Sequence, residues 1–230
     1  MSYELFVSLR HLKAKRTQKF ISLNTWISVG GVALGVMALI VVIAVMSGFG
    51  KDLRDKILGT NSHVVVSNIS RTSMGDYEVI IKKIMRTEGV NAAAPFILSQ
   101  VMLTYGSNSK GVVVRGVDPE REAGVSDLEK NLVQGSLNML EGPEKSLGKP
   151  RRAGIILGRE LAHRLGVQRE DVVSMISPAS RVTPMGLIPK IKLFQVVGFF
   201  ESGMFEYDSN LAFISIHAAQ KFFSMKGKVS

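Results

Sequence analysis

The 230-residue chain contains no cysteine, which excludes a disulfide, a thiolate metal site and a thiol nucleophile. Many proteins outside the cytoplasm also lack disulfides, so this absence does not decide the compartment. Histidine is scarce. His11, His63, His163 and His217 stand far apart and no two share a metal-ligand spacing. No G-x-S-x-G elbow, H-E-x-x-H helix or G-x-x-x-x-G-K-[ST] phosphate loop occurs, so hydrolase, zinc-protease and nucleotide-binding readings have no motif behind them. Asp52, Asp55, Asp118, Glu120, Glu122, Asp127 and Glu129 read as solvated acids. No catalytic, cofactor-binding or metal-ligating residue is assigned.

The apolar fraction of 46% supplies core for one large domain or two small ones. The formal charge is +10. In the first 50 residues Arg10, Lys13, Lys15, Arg16 and Lys19 stand against Glu4, and the rest of the excess is spread along the chain. Those five cations precede the longest apolar run, where anionic lipid would be met, so inner-membrane lipid is favoured over nucleic acid as their partner.

That run is the strongest signal present. From Phe20 to Gly50 there is no charged residue, and Ile27–Met46 (ISVGGVALGVMALIVVIAVM) has the roughly 20 residues needed to cross a bilayer core. A cleaved signal peptide would have a shorter apolar stretch and a small-x-small cleavage site, which Met46-Ser47-Gly48-Phe49 does not offer. A retained helix at 23–49 is predicted. Behind it, Lys51, Asp52, Arg54, Asp55 and Lys56 nearly cancel, so the positive-inside rule places residues 1–22 in the cytoplasm and residues from about 50 onward outside. Leu5, Phe6, Leu9 and Leu12 recur at helical spacing among basic residues. They fit either an interfacial amphipathic helix or an extension of the span.

On the spanning helix, Ser28, Gly31, Gly35, Ala38, Val42 and Met46 fall within an arc of about 80°. Gly31-x-x-x-Gly35 is the spacing that lets membrane helices approach closely, although glycine is common in such helices without that use. Met46 could touch an apolar ligand or simply face lipid.

Beyond the span the pattern is α+β. His63–Ser67 (HVVVS) reads as a strand. A helix follows from Asp76 to Thr87, with Tyr77, Ile80, Ile81, Ile84 and Met85 on one face, Asp76 as its cap and Gly89 as its stop. Phe96–Thr104 and Gly111–Val117 form a predicted hairpin. Residues 118–153 read as irregular with short helical pieces, which puts a subdomain boundary near 117. Further strands are predicted at Gly154–Leu157, Asp171–Ser177, Lys192–Phe200 and Leu211–Ile216, with a helix at Arg159–Leu165. Between the second and third of these lies SPASRVTPMGLIPK, where Pro178, Pro184 and Pro189 disfavour a central strand. It reads as a stiff, partly apolar loop leaving the sheet, serving a partner or folded back on its own domain.

The residues themselves resemble a family. Ala33–Phe49 (ALGVMALIVVIAVMSGF), Leu53–Gly59 (LRDKILG) and HVVVS are similar to the lipoprotein-releasing ABC transporter permeases LolC and LolE. Gly116-Val-Asp-Pro119, Ile156–Ala162 (ILGRELA) and Leu165-Gly-Val167 fit the same family. Thr183–Pro189 (TPMGLIP) resembles the projecting hook of LolC and LolC-like fused forms.

The resemblance implies a permease subunit that takes lipoproteins from the bacterial inner membrane and hands them to a LolA-like periplasmic carrier. A separate LolD-like ATPase subunit would use ATP and Mg, and a LolE-like subunit or a second copy of this chain would complete the pair. It implies a MacB-like periplasmic domain, with a Porter-like part at 50–117 and 192–230 and an inserted Sabre-like part at 118–191. The hook, 178–189, would bind the carrier through Ser180, Arg181, Val182, Thr183, Pro184, Met185, Gly186, Leu187, Ile188 and Pro189, with Lys190 and Lys192 on the return strand. The stripe ending at Met46 would border the lipid path. Family members continue into three more spanning helices that this sequence does not contain, so a fragment of a longer reading frame is expected. A MacB- or FtsX-type permease for efflux or force transmission shares this topology. A single-pass anchored enzyme or sensor is the alternative from another class.

Overall fold

The computed structural model describes residues 3–13, 19–68, 73–142, 152–183 and 186–230. It divides into two compact units, Met1–Leu53 and Arg54–Ser230. In the first, helix α1 (Tyr3–Lys13) precedes the start of α2 (Lys19–Thr60). The stretch of α2 long and apolar enough to cross a membrane is Leu23–Ile57, and none of its apolar window is buried. The helix runs past the expected end at 49 because Lys51–Leu58 is rich in Lys, Arg and Leu and holds neither glycine nor proline.

The second unit is built on a seven-stranded sheet in the order β3-β6-β4-β7-β2-β1-β5, and β5 also pairs with β6, so the strands close on themselves. The strands are β1 (Phe96–Tyr105), β2 (Asn108–Val117), β3 (Leu132–Gln134), β4 (Ala153–Gly158), β5 (Val172–Thr183), β6 (Gly186–Phe200) and β7 (Leu211–Ser215). β1 and β2 form the expected hairpin around Gly106, whose φ of +56° suits a tight two-residue turn. β2 runs parallel to β7, and β4 parallel to β6. Helices α3 (Tyr77–Ile84), α4 (Pro119–Glu122), α5 (Arg159–Leu165), α6 (Phe205–Asn210) and α7 (Ile216–Phe223) complete the unit, with a 3-10 turn at Leu137–Glu141.

Side chains alternate along the strands and divide the core between two faces. On one, Leu103, Val114, Leu157, Met175, Phe194 and Ile214 pack with Leu161 and Leu165 of α5 and Ala219 and Phe222 of α7. On the other, Val117, Ile156, Phe200 and Phe213 pack with Leu128, Leu137 and Leu140. Phe200 meets Phe213 edge to face at 5.1 Å. Gly116 lies so close to Ala219, and Gly158 to the backbone of Asp208, that neither position has room for a Cβ.

Several expectations change. His63–Ser67 forms no strand, and Val64, Val65 and Val66 are exposed. A strand needs a neighbour, and among the described residues none pairs with this run. Asp76 makes no side-chain cap on α3. Residues 118–191 do not form a compact unit of their own: β3, β4 and β5 lie in the same sheet as the strands from 50–117 and 192–230. The loop at 178–189 is in its described part a pair of strands, from Ser180↔Pro189 to Thr183↔Gly186. A two-stranded ribbon has both edges free, so a proline without an N–H is tolerated there.

Glu122 is not a solvated acid. It is fully buried, 3.3 Å from the Arg115 guanidinium, and its Oε1 accepts from Ser126 Oγ at 2.8 Å. Arg115 is nearly as buried and lies over the Phe96 ring. Removing one member leaves a buried charge without its ion partner. Arg115→Met is therefore expected to cost about 3–5 kcal/mol in denaturant unfolding of the detergent-solubilised chain, and adding Glu122→Leu should recover most of that loss.

Candidate functional site

Strand β6 carries the candidate site because it is longer than its neighbours. Phe194–Phe200 pairs with β4, Lys190–Gln195 pairs with β5, and Gly186–Pro189 continues beyond the sheet with Ser180–Thr183 as its only described neighbour. The register shifts between Ser177 and Ser180, where the ribbon leaves the sheet. Such a shift bends the strand that carries it. Pro178 stands at the shift, and Pro189 lies opposite Ser180.

The structure thus places the backbone of Ser180, Arg181, Val182 and Thr183 on one strand of the ribbon and that of Gly186, Leu187, Ile188 and Pro189 on the other. Pro184 and Met185 lie outside the described residues.

Lys190 and Lys192 sit two residues apart on β6 and so share a face. Lys190 Nζ donates to the carbonyl oxygen of Lys221 at 3.1 Å and to Ser224 Oγ at 3.0 Å. The Lys192 ammonium lies 5.0 Å from the centre of the Phe194 ring. The alternate residues Ile191 and Leu193 face away and are exposed.

Burial pushes the Lys192 pKa below the ordinary lysine value, and the positive charges of Lys221 and Lys190 push it the same way. The folded chain therefore releases this proton before the unfolded chain does. In the window between the two values the unfolded state binds more protons, so stability rises with pH.

In the spanning helix, Ser28, Gly31, Gly35, Ala38, Val42 and Met46 are all exposed, and nothing lies within 4 Å of a Cβ built at Gly31 or Gly35. The stripe is open for contact. Elsewhere, Tyr77, Ile80, Ile81 and Ile84 of α3 line a cavity of about 380 Å³ with Val64–Val66, Arg115 and Val229. The apolar face of α3 therefore covers a gap, and none of its residues is fully buried. Among the described residues no group of His, Asp or Glu could hold a metal ion.

Sequence reasoning missed three things here: the Arg115–Glu122 pair, the attachment of Lys190 to α7, and α7 itself. The last had a readable signal. Ser215 Oγ accepts from Ala218 N as an N-cap, and Ile216, Ala219, Phe222 and Phe223 follow at helical spacing.

A helix long and apolar enough to cross a membrane, followed by an α+β domain with a β-ribbon leaving its sheet, defines the class of architecture. The chain belongs to the MacB-like periplasmic core domain family, which it matches over residues 25–229. It is similar to the lipoprotein-releasing system transmembrane protein LolC of Neisseria meningitidis serogroup B, with 34% identity over 100% of this chain and 53% of the relative. The protein of the same description from Xylella fastidiosa (strain Temecula1) is 38% identical over 96% of this chain and 51% of its own length. LolE of Haemophilus influenzae is 25% identical over 76% of this chain and 41% of the relative. The resemblance read from the sequence is thereby borne out, and this chain spans about half the length of the LolC relatives it matches.

The depressed Lys192 pKa has a measurable consequence. Compared with Lys192→Met, the unsubstituted chain should gain thermal stability as the pH is raised towards the ordinary lysine pKa. A difference in melting midpoint that stays flat over that range would contradict it.

Proposed function

We propose that the chain is part of a permease subunit of an ABC transporter that releases lipoproteins from the inner membrane and hands them to a periplasmic carrier. The observation that carries this reading is the β5–β6 ribbon, which extends past the sheet with the sequence Ser180–Pro189. Its support is the LolC relatives, at 34–38% identity over nearly the whole chain.

In this reading the basic N-terminus lies in the cytoplasm, α2 crosses the membrane and the sheet domain is periplasmic. The ribbon binds the LolA-like carrier. Ribbon strands fix the backbone before contact, so less ordering entropy opposes binding than for a free loop. The small-residue stripe meets a helix of the second permease, LolE-like or another copy, and borders the path of the acyl chains. ATP and Mg are handled by a separate LolD-like subunit, and this chain binds no cofactor. A MacB- or FtsX-type permease is the second reading, since the matched family is described by its MacB-like domain. It involves no lipoprotein carrier.

Carrier capture separates the two. With the full-length permease immobilised, Met185→Ala combined with Ile188→Ala should weaken carrier retention by about tenfold or more, as expected when two apolar anchors are lost. Retention equal to the unsubstituted protein would remove the ribbon from the mechanism.

The stripe makes a separate demand. Gly31→Ile with Gly35→Ile adds bulk where close helix approach is required. It should reduce co-purification of the second permease while leaving the circular dichroism of this chain unchanged. Undiminished co-purification would assign the stripe to lipid contact instead.

A further inference from the structure

Lys190 entered the reading as one of several carrier contacts, but its surroundings give it different work. Ser177↔Lys190 is the last regular pair before the register shift, and the next pair outward is Ser180↔Pro189. Inside the shift β5 is supported by β1 as well, through Ser174–Ile176. Outside it, the described ribbon is two strands alone. An isolated two-stranded ribbon is marginal in water, and a bulge re-aims the strand it interrupts. The direction in which the ribbon leaves the sheet therefore depends on what holds the pair just inside the bulge.

That pair is held from the side by α7. Lys221 lies in the last turn of this helix, and Ser224 is its C-cap with φ at +59°. Carbonyl groups there lack partners within the helix and carry partial negative charge. The Lys190 ammonium meets both needs: it donates to the Lys221 carbonyl oxygen and to Ser224 Oγ, and it lies 5.7 Å from the centre of the Phe222 ring. Phe222 is itself fully buried, in edge contact with Phe194 of β6. The root of the ribbon is thus tied to a helix that is fixed in the core.

We propose that Lys190 is a positioning residue that sets the exit direction of the ribbon by tying the pair inside the bulge to the C-terminus of α7. It acts on partner capture through this tie, without touching the partner. Only the second statement rests on the carrier-binding reading; the tie stands on geometry.

The absence of cysteine makes the test direct, because two introduced thiols take spin labels at chosen sites only. Val182→Cys on the ribbon and Glu129→Cys on the head, in the detergent-solubilised 230-residue chain, give a distance distribution by pulsed electron resonance. Lys190→Met should broaden that distribution without unfolding the head, and Lys190→Arg should keep it narrow. Ser224→Gly, which removes one acceptor but suits a positive φ, should fall between them. A distribution as narrow in Lys190→Met as in the unsubstituted chain overturns the tie.

Carrier retention by the full-length permease tests the rest. A loss of about tenfold is expected with Lys190→Met, the scale of a lost charge-assisted hydrogen bond, and Lys190→Arg should restore it. Broadening with undiminished retention overturns the role in capture. Lost retention with an unchanged distribution makes Lys190 a direct contact and overturns the proposal. If the unsubstituted permease retains no carrier while Lys190→Met still broadens the distribution, the carrier-binding reading fails and the tie survives.

Discussion

The pairing of β6 with β4 on one side and β5 on the other is the constraint on which the head depends. At Phe194 and Gln195 the strand is paired on both edges at once. This double pairing closes the sheet and gives Phe194 and Val196 a face that α5 and α7 can cover. Strand length then separates the two roles of β6: its C-terminal half is core, while its N-terminal end outruns every neighbour but β5. A contact element that extends from a core strand inherits that strand's rigidity at its root and loses it with distance. Function placed on such an element needs a device at the boundary.

Charge burial marks the other face. Arg115 on β2 and Glu122 on α4 are nearly or fully buried, and each leaves one polar atom, Arg115 Nε and Glu122 Oε2, without a hydrogen-bond partner among the described residues. A pair in that condition contributes little net stability. It does tie α4 to β2, because among the described residues Arg115 is the one buried Lys or Arg. Nearby, Arg121 reaches Glu78 of α3 with two hydrogen bonds, at 2.9 and 3.1 Å, and Asp127 N donates to Gly59 O at 2.8 Å. The irregular stretch after β2 is thus a hub that joins α3, the end of α2 and the sheet.

Periodicity made the regular parts legible. The span, the β1–β2 hairpin and α5 with its Gly166 stop follow from local pattern and turn chemistry, which need no knowledge of neighbours. What escaped was whatever depends on a partner distant in sequence. HVVVS has ideal strand composition, yet pairing decides whether a strand forms, and composition is blind to pairing. Prolines made 178–189 read as a loop, although a two-stranded ribbon has open edges on which a missing donor is tolerated. Glu122 looked like its acidic neighbours because burial is a property of the fold. The residues of the candidate site were named in advance, but as a loop with two basic followers, which conceals that Lys190 and Lys192 have different surroundings.

That difference bears on how a partner would meet the ribbon. At its root, the face towards α7 carries Lys190 and Lys192, with Lys221 of that helix beside them, whereas the opposite face carries Ile191 and Leu193 in the open. One cation on the first face is committed to a helix terminus, and another is held half-buried against an aromatic ring with its proton loosened by its neighbours. Neither is a freely solvated lysine. The exposed isoleucine and leucine offer what burial against a partner can reward. In the carrier-binding reading proposed above, partner contact at the root therefore falls on the apolar face, with the cationic face serving to hold the ribbon where that contact can form.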